Sequence, residues 1–132
     1  MAKALKTNQL SFTMPDRAGL LSEVTTALSG AKVNISAICA YEMEHSAYFM
    51  LTTDSNAKAK KAIARLAAGI TEDAVVGVEM PNRVGELQKV AKKIADAGIN
   101  IIYMYGTTGA GKSSTCIFKT SDDKKAIKAI NK

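Results

Sequence analysis

The chain has 132 residues, of which 47 % are hydrophobic and 23 % charged, with a net charge of +6. That balance excludes a disordered chain, and the length allows one ordinary domain or two very small ones, too little for a nucleotide-hydrolysing domain with anything attached. No apolar run approaches the roughly 18 to 20 residues of a membrane span, and the opening MAKALKTNQL holds no apolar signal segment, so a cytoplasmic protein with no membrane partner is expected.

The first expected element is a strand, LSFTM (10–14), ended by Pro15. Leu21, Val24, Leu28 and Ala31 then recur at the three- and four-residue spacing of an amphipathic helix, with Asp16 where an N-cap would stand. VNISAICAY (33–41) and AYFMLTT (47–53) read as the second and third strands, with His45 in an exposed turn between them. A lysine-rich helix carrying Lys58, Lys60 and Lys61 follows, and a fourth strand is expected around residues 69–74, close enough to Val75 to run into the next element.

At Val75 the order starts again. MPDRAGLLSEVTTALSGAKVNI (14–35) lies over MPNRVGELQKVAKKIADAGINI (80–101) at a constant offset of 66 residues without a gap, and Pro15/Pro81, Arg17/Arg83, Gly19/Gly85 and Asn34/Asn100 are among the identical pairs. The second copy has strands VVGVEM (75–80), INIIYMYG (99–106) and STCIFKT (114–120). Its first helix is carried by Leu87, Val90, Ile94 and Ala97, with Asn82 at the N-cap position and Gly98 as the stop, and its second by a segment with Lys124, Lys125 and Lys128. Lysines on three helical segments read as solvated helix faces before they read as a binding stripe.

The expected fold class is α+β: two ferredoxin-like β-α-β-β-α-β repeats, antiparallel sheets with helices on one face, over residues 1–74 and 75–132. The second repeat lacks its last strand in this reading. An open sheet edge invites pairing, so a homodimer is expected to cover it.

PDRAGLLSEV followed by AKVNISAI, and PNRVGELQKV followed by AGINIIYM, resemble the ACT domain, a small regulatory module of amino-acid metabolism, from about Gln9 to about Ile130. The resemblance implies a stand-alone amino-acid sensor, not an enzyme and without a cofactor, with a free amino acid bound where two ACT domains meet. The change in packing would be passed to a partner such as a regulated enzyme. The resemblance also implies ligand contacts from Asp16, Gly19 and Asn34 in the first copy and from Asn82, Gly85 and Asn100 in the second.

Physical chemistry points to the same places. Backbone amides at a helix start, around Ala18, Gly19 and Leu20 or around Val84, Gly85 and Glu86, can hold a carboxylate, and asparagine oxygens can accept from an α-ammonium. The same residues could instead cap helices and shape turns. Asp16 adds a negative charge where Asn82 is neutral, which weakens binding or favours a cationic ligand, so the two sites are not equivalent in this reading.

Two other functions share the element order. An RNA-binding module would stack bases on sheet aromatics, for which Tyr41, Tyr48, Phe49, Tyr103, Tyr105 and Phe118 are the candidates, but the basic-aromatic signature of such modules is absent and nucleic acid is not the expected partner. A scaffold acting through the open edge would be indifferent to amino acids. Cys39 and Cys116 are expected as reduced, buried thiols, and no metal-ligand spacing is present.

GTTGAGKSS (106–114) matches the phosphate-loop pattern G-x-x-x-x-G-K-[ST] through Gly106, Gly111, Lys112 and Ser113. Such a loop needs a helix at its lysine end, whereas STCIFKT is a strand sequence. The expectation is a hairpin turn in which Gly106, Gly109 and Gly111 supply unusual φ angles.

Overall fold

In a computed structural model of the chain, residues 1–107 and 110–132 are described. They form β1 (Lys3–Pro15), α1 (Leu20–Gly30), β2 (Ile35–Met43), β3 (Ser46–Thr53), α2 (Asn56–Ile63), β4 (Thr71–Pro81), α3 (Glu86–Asp96), β5 (Ile101–Thr107), β6 (Ser113–Thr120) and α4 (Asp123–Asn131). Two compact units result, one of Asn8–Asp73 and one of Ala74–Lys132 together with Met1–Thr7.

In the unit Asn8–Asp73 the strand order is β2-β3-β1, all antiparallel, with Phe12 opposite Phe49 and Ile38 opposite Leu51. Alternation sends Leu10, Phe12, Met14, Ala47, Phe49 and Leu51 to one face, where Leu20, Val24 and Leu28 of α1 and Ala59 and Ile63 of α2 meet them. Each large side chain so enclosed contributes about 1.5 to 3 kcal/mol. The opening residues of β4 lie along the free side of β1, where the Thr71 hydroxyl donates to the Ser11 carbonyl at 3.4 Å.

The other unit has the order β4-β6-β5, with Val78 and Gly106 each opposite Cys116. Val76, Val78, Met80 and Phe118 face Val90 and Ile94 of α3 and Ala126 and Ile130 of α4, and Ala4 is enclosed in the same core. Residues 3–7 run beside β4, so close that a Cβ on Gly77 would lie 2.4 Å from the Thr7 hydroxyl. The expected missing strand and open edge are therefore corrected, because the chain's own N-terminal segment takes that place. The expected division at residue 74 differs in the same respect, since residues 1–7 group with the later unit.

β1 and β4 thus each do two jobs, closing one unit with their first residues and opening the other with their remainder. Residues 3–9 were not expected as strand, because KALKTNQ shows no clean alternation, yet Ala4 and Gln9 are fully buried. The strand expected around residues 69–74 and the one from Val75 are a single β4.

The helix starts differ from the expected caps. Asp16 and Asn82 do not cap. The N-cap positions belong to Gly19 (φ 90°) and Gly85 (φ 89°), which hold the left-handed conformation and have no side chain to offer. Side-chain caps occur instead on the later helices, where Ser55 accepts from the Lys58 amide and Asp122 from the Lys125 amide. At the far end of α3, Gly98 (φ 71°) ends the helix as expected, while its counterpart Lys32 adopts φ 58° without being glycine.

In the phosphate-loop lookalike a strand begins at Ser113 and pairs with both β4 and β5, so the helix that the motif requires is not there. The expected role of its glycines is also corrected. Neither Gly106 nor Gly111 has a positive φ, and Gly109 lies outside the described residues. Gly106 is glycine for a steric reason, since a Cβ there would stand 2.7 Å from Cys116 Sγ.

Candidate functional site

A helix whose N-cap is a glycine leaves its first-turn amides without a side-chain acceptor, and those amides carry the positive end of the helix dipole. Both α1 and α3 begin in this way. The turn before each is tied to the neighbouring β-hairpin by one backbone bond, from the Asp16 amide to the His45 carbonyl at 2.9 Å and from the Asn82 amide to the Lys112 carbonyl at 2.8 Å. The Asn82 side-chain amide also donates to the Gly111 carbonyl at 3.0 Å. The glycine-rich hairpin therefore holds the turn that precedes α3.

A cavity of about 420 Å³ opens at this turn, lined by Met80, Asn82, Arg83, Glu86 and Leu87 and floored by Met104, Gly106, Ser114 and Cys116. It contains most of what an amino acid requires: an amide-rich helix end, a carboxylate, a guanidinium and an apolar floor. Glu86 is buried, with its carboxylate 3.0 Å from Lys89 Nζ and 3.8 Å from Arg83 Nη2. The Lys89 hydrogen bond holds the Glu86 carboxyl below its usual pKa, against the opposing effect of burial. Burial pushes the Cys116 thiol up, so it stays protonated, in keeping with the expected buried thiol. Cys39 is only partly buried.

Of the other residues expected from the sequence, Ala18, Gly19 and Val84 are exposed on their turns and Leu20 is buried in the core beneath α1. Asp16 is exposed, and the neighbouring Arg17 pairs with Glu23. Asn34 and Asn100 are exposed just ahead of β2 and β5. Their backbones bond to the links that follow the third strands, Asn34 N–H to Asp54 Oδ1 at 2.9 Å and Asn100 N–H to Ser121 Oγ at 3.0 Å.

Those contacts place each asparagine at the opposite end of its own sheet from its own turn. Asn34 precedes β2, and His45, which holds the Asp16 turn, follows it; the intervening strand spans roughly 30 Å at about 3.3 Å per residue. Within one unit, therefore, the turn and the asparagine do not come together. The sequence named the turn residues, but Arg83, Met104, Ser114 and Cys116 were not foreseen. Their signal was the pairing of Val78 with Cys116 and of Gly106 with Cys116, which a strand assignment alone does not reveal.

Two other features bear on function. A wider groove of about 690 Å³ lies between α1 and α2, lined by Ser22, Thr26, Lys61 and Arg65 among others; it is a furrow between two helix faces. Tyr41 and Tyr48 stack on one another with centroids 5.2 Å apart, which occupies one face of each ring. Among the described residues there is no cluster of metal-ligating side chains, and no helix is long and apolar enough to cross a membrane.

Residues 8–68 match the family model of the ACT domain. None of the curated proteins matches the chain. Among solved structures, a protein from Bacteroides thetaiotaomicron is 29 % identical, with a TM-score of 0.86 over 97 % of this chain and 88 % of its own. The ligand-free regulatory subunit of aspartate kinase from Thermus thermophilus has a TM-score of 0.67 at 17 % identity, over 98 % of this chain and 94 % of its own. The corresponding subunit from Thermus flavus gives 0.62 at 18 % identity, again over 98 % and 94 %. The likeness to the two kinase subunits is one of fold.

Proposed function

We propose that this chain is a non-catalytic regulatory module that binds a free amino acid and passes the event to a partner protein. The observation that carries the reading is the cavity at the start of α3, where Asn82, Arg83, Glu86 and Leu87 surround a space of about 420 Å³ and no side chain caps the helix. The ACT match over residues 8–68 and the fold shared with aspartate kinase regulatory subunits support it. By this reading the repeat at an offset of 66 residues makes the chain a tandem pair of ACT-type units, although the family match covers the first copy alone.

The ligand's carboxylate sits on the first-turn amides beyond Glu86, whose own amide already donates to the Arg83 carbonyl at 3.3 Å. Its ammonium is answered by side-chain oxygens, and because Asn34 and Asn100 lie at the far ends of their own sheets, each serves only a turn other than that of its own unit. A homodimer, which supplies such a turn, is part of the proposal. Leu87 and Met104, 45 % and 38 % exposed beside the cavity, offer apolar surface for such an interface. Binding shifts the protein's packing only by as much as the ligand distinguishes two arrangements.

The test is thermal denaturation in the presence of each of the twenty amino acids. Saturation at about 100 times the dissociation constant adds roughly 2.7 kcal/mol of stability. If no amino acid raises the melting temperature, and Asn100→Ala leaves self-association unchanged, the reading is wrong.

A further inference from the structure

The two turns share a backbone but not a floor. Strand register fixes the correspondence: Phe12 is paired with Phe49 where Val78 is paired with Cys116, and Met14 with Ala47 where Met80 is paired with Ser114. On the edge strands, Ala40 lies opposite Phe49 and Gly106 opposite Cys116. The first residue of the helix is Leu20 in one unit and Glu86 in the other.

In the unit Asn8–Asp73 these positions are filled by hydrocarbon. The Phe12 and Phe49 rings stack with centroids 5.1 Å apart and planes 6° from parallel, inside a core that also encloses Met14, Leu20 and Ala47. In the unit that contains α3, a valine and a thiol replace the two rings, and glycine replaces the methyl of Ala40. Polar Ser114 and Glu86 replace Ala47 and Leu20, and the cavity of about 420 Å³ stands there. Close-packed aromatic rings do not move aside for a polar ligand without losing their buried contacts.

We infer that ligand enters only the unit containing α3, one molecule per chain, and that the Phe49 ring, stacked on Phe12, plugs the corresponding space in the other unit. This rests on the amino-acid reading above and goes beyond it in naming the occupied turn and the class of ligand. Glu86 is already met by Lys89 and Arg83, so no carboxylate is left over for a cationic side chain, and the surplus positive charge suits the ligand's own carboxylate. The floor of Met104, Gly106, Ser114 and Cys116 takes a short neutral side chain, apolar or hydroxylated. Gly106 and Cys116 set its depth, because a Cβ on Gly106 would stand 2.7 Å from the Cys116 sulfur.

The test is a two-dimensional amide NMR titration of the full chain with L-serine, L-threonine, L-valine, L-methionine and L-lysine, each added separately. At least one neutral amino acid is expected to shift residues 82–88, 104–107 and 114–116 while residues 16–22 and 47–49 stay in place. Saturable shifts at both turns with one midpoint, shifts at the first turn alone, or saturation by L-lysine but by none of the others would overturn the inference while leaving the amino-acid reading intact. No shift with any of the five overturns the inference; extending the titration to all twenty separates a wrong ligand class from failure of the amino-acid reading itself. In parallel, Cys116→Phe, which installs the ring found in the other unit, is expected to weaken binding by about tenfold or more. Unchanged affinity in a folded Cys116→Phe protein counts against the assignment.

Discussion

Asn131 grips the backbone of Ala4 from both sides: the Ala4 amide donates to Asn131 Oδ1 at 2.7 Å, and Asn131 Nδ2 donates to the Ala4 carbonyl at 2.9 Å. A carboxamide reproduces the donor and acceptor of a strand neighbour, so the side chain stands in for a missing ladder residue. Ala4 itself is fully buried, and its peptide groups would otherwise lack partners. Asn131→Ala should therefore cost about 2 kcal/mol, within the usual 1 to 3 kcal/mol for a buried unsatisfied polar group. Urea denaturation measures it, and an unchanged midpoint would mean that residues 3–7 are not held against this unit.

The glycines at the helix starts are required by φ alone. A Cβ on Gly19 or Gly85 would meet nothing within 4 Å, but both sit near φ 90°. Gly85→Ala and Gly19→Ala should each destabilise by about 1 to 2 kcal/mol. Gly30, at the end of α1 with no positive φ and the same open space, provides the contrast. Gly30→Ala should stabilise by about 0.5 to 1 kcal/mol, and denaturant midpoints of the three variants test the difference in sign.

Lys32 supplies the reverse experiment. It ends α1 in the left-handed region at φ 58°, with its amide bonded to the Ser29 carbonyl at 3.0 Å and the Val33 amide to the Leu28 carbonyl at 2.9 Å. Its counterpart in α3 is Gly98. Lys32→Gly should raise stability by about 0.5 to 1 kcal/mol, since relief of the left-handed strain is partly offset by the added freedom of the unfolded chain.

Glu86 should leave a signature at acid pH. Its pKa in the folded chain is lowered, chiefly by the Lys89 hydrogen bond, so the unfolded chain takes up the proton first, from about pH 4.3 downward. Its contribution to stability is present above that value and is lost as pH falls through the folded-state pKa. Glu23 and Glu72 are lowered in the same way, by Arg17 and Lys60, and add to the acid limb. The melting temperature of Glu86→Gln should therefore fall less steeply than that of the native chain below about pH 4.3. Parallel curves for the two proteins would remove Glu86 from the pH dependence.

The element order was legible because apolar side chains repeat at helical spacing in α1 and α3, and because the pattern recurs 66 residues later. The helix caps were misread. Asp16 and Asn82 have the chemistry of caps, but the Asn82 side chain is spent on the Gly111 carbonyl, and at both helix starts glycine takes the cap position. The turn residues beside the cavity were named from the sequence, while its floor was not, because the floor is made by cross-strand neighbours, with Ser114 34 residues after Met80 and Cys116 38 residues after Val78.

The sequence by itself determined the two turns. Glycine at positions 19 and 85 is dictated by a local backbone angle, and local requirements are written in local residues. It also supplied the aromatic pair in one copy and the valine and cysteine in the other. Only the tertiary structure decided what those differences do. Strand pairing joins Gly106 to Cys116 and lays residues 3–7 beside β4 through backbone hydrogen bonds, which carry no residue code. An empty edge inferred from the sequence thus became a covered one, and a hairpin that resembled a phosphate loop became the support of the turn beside the cavity.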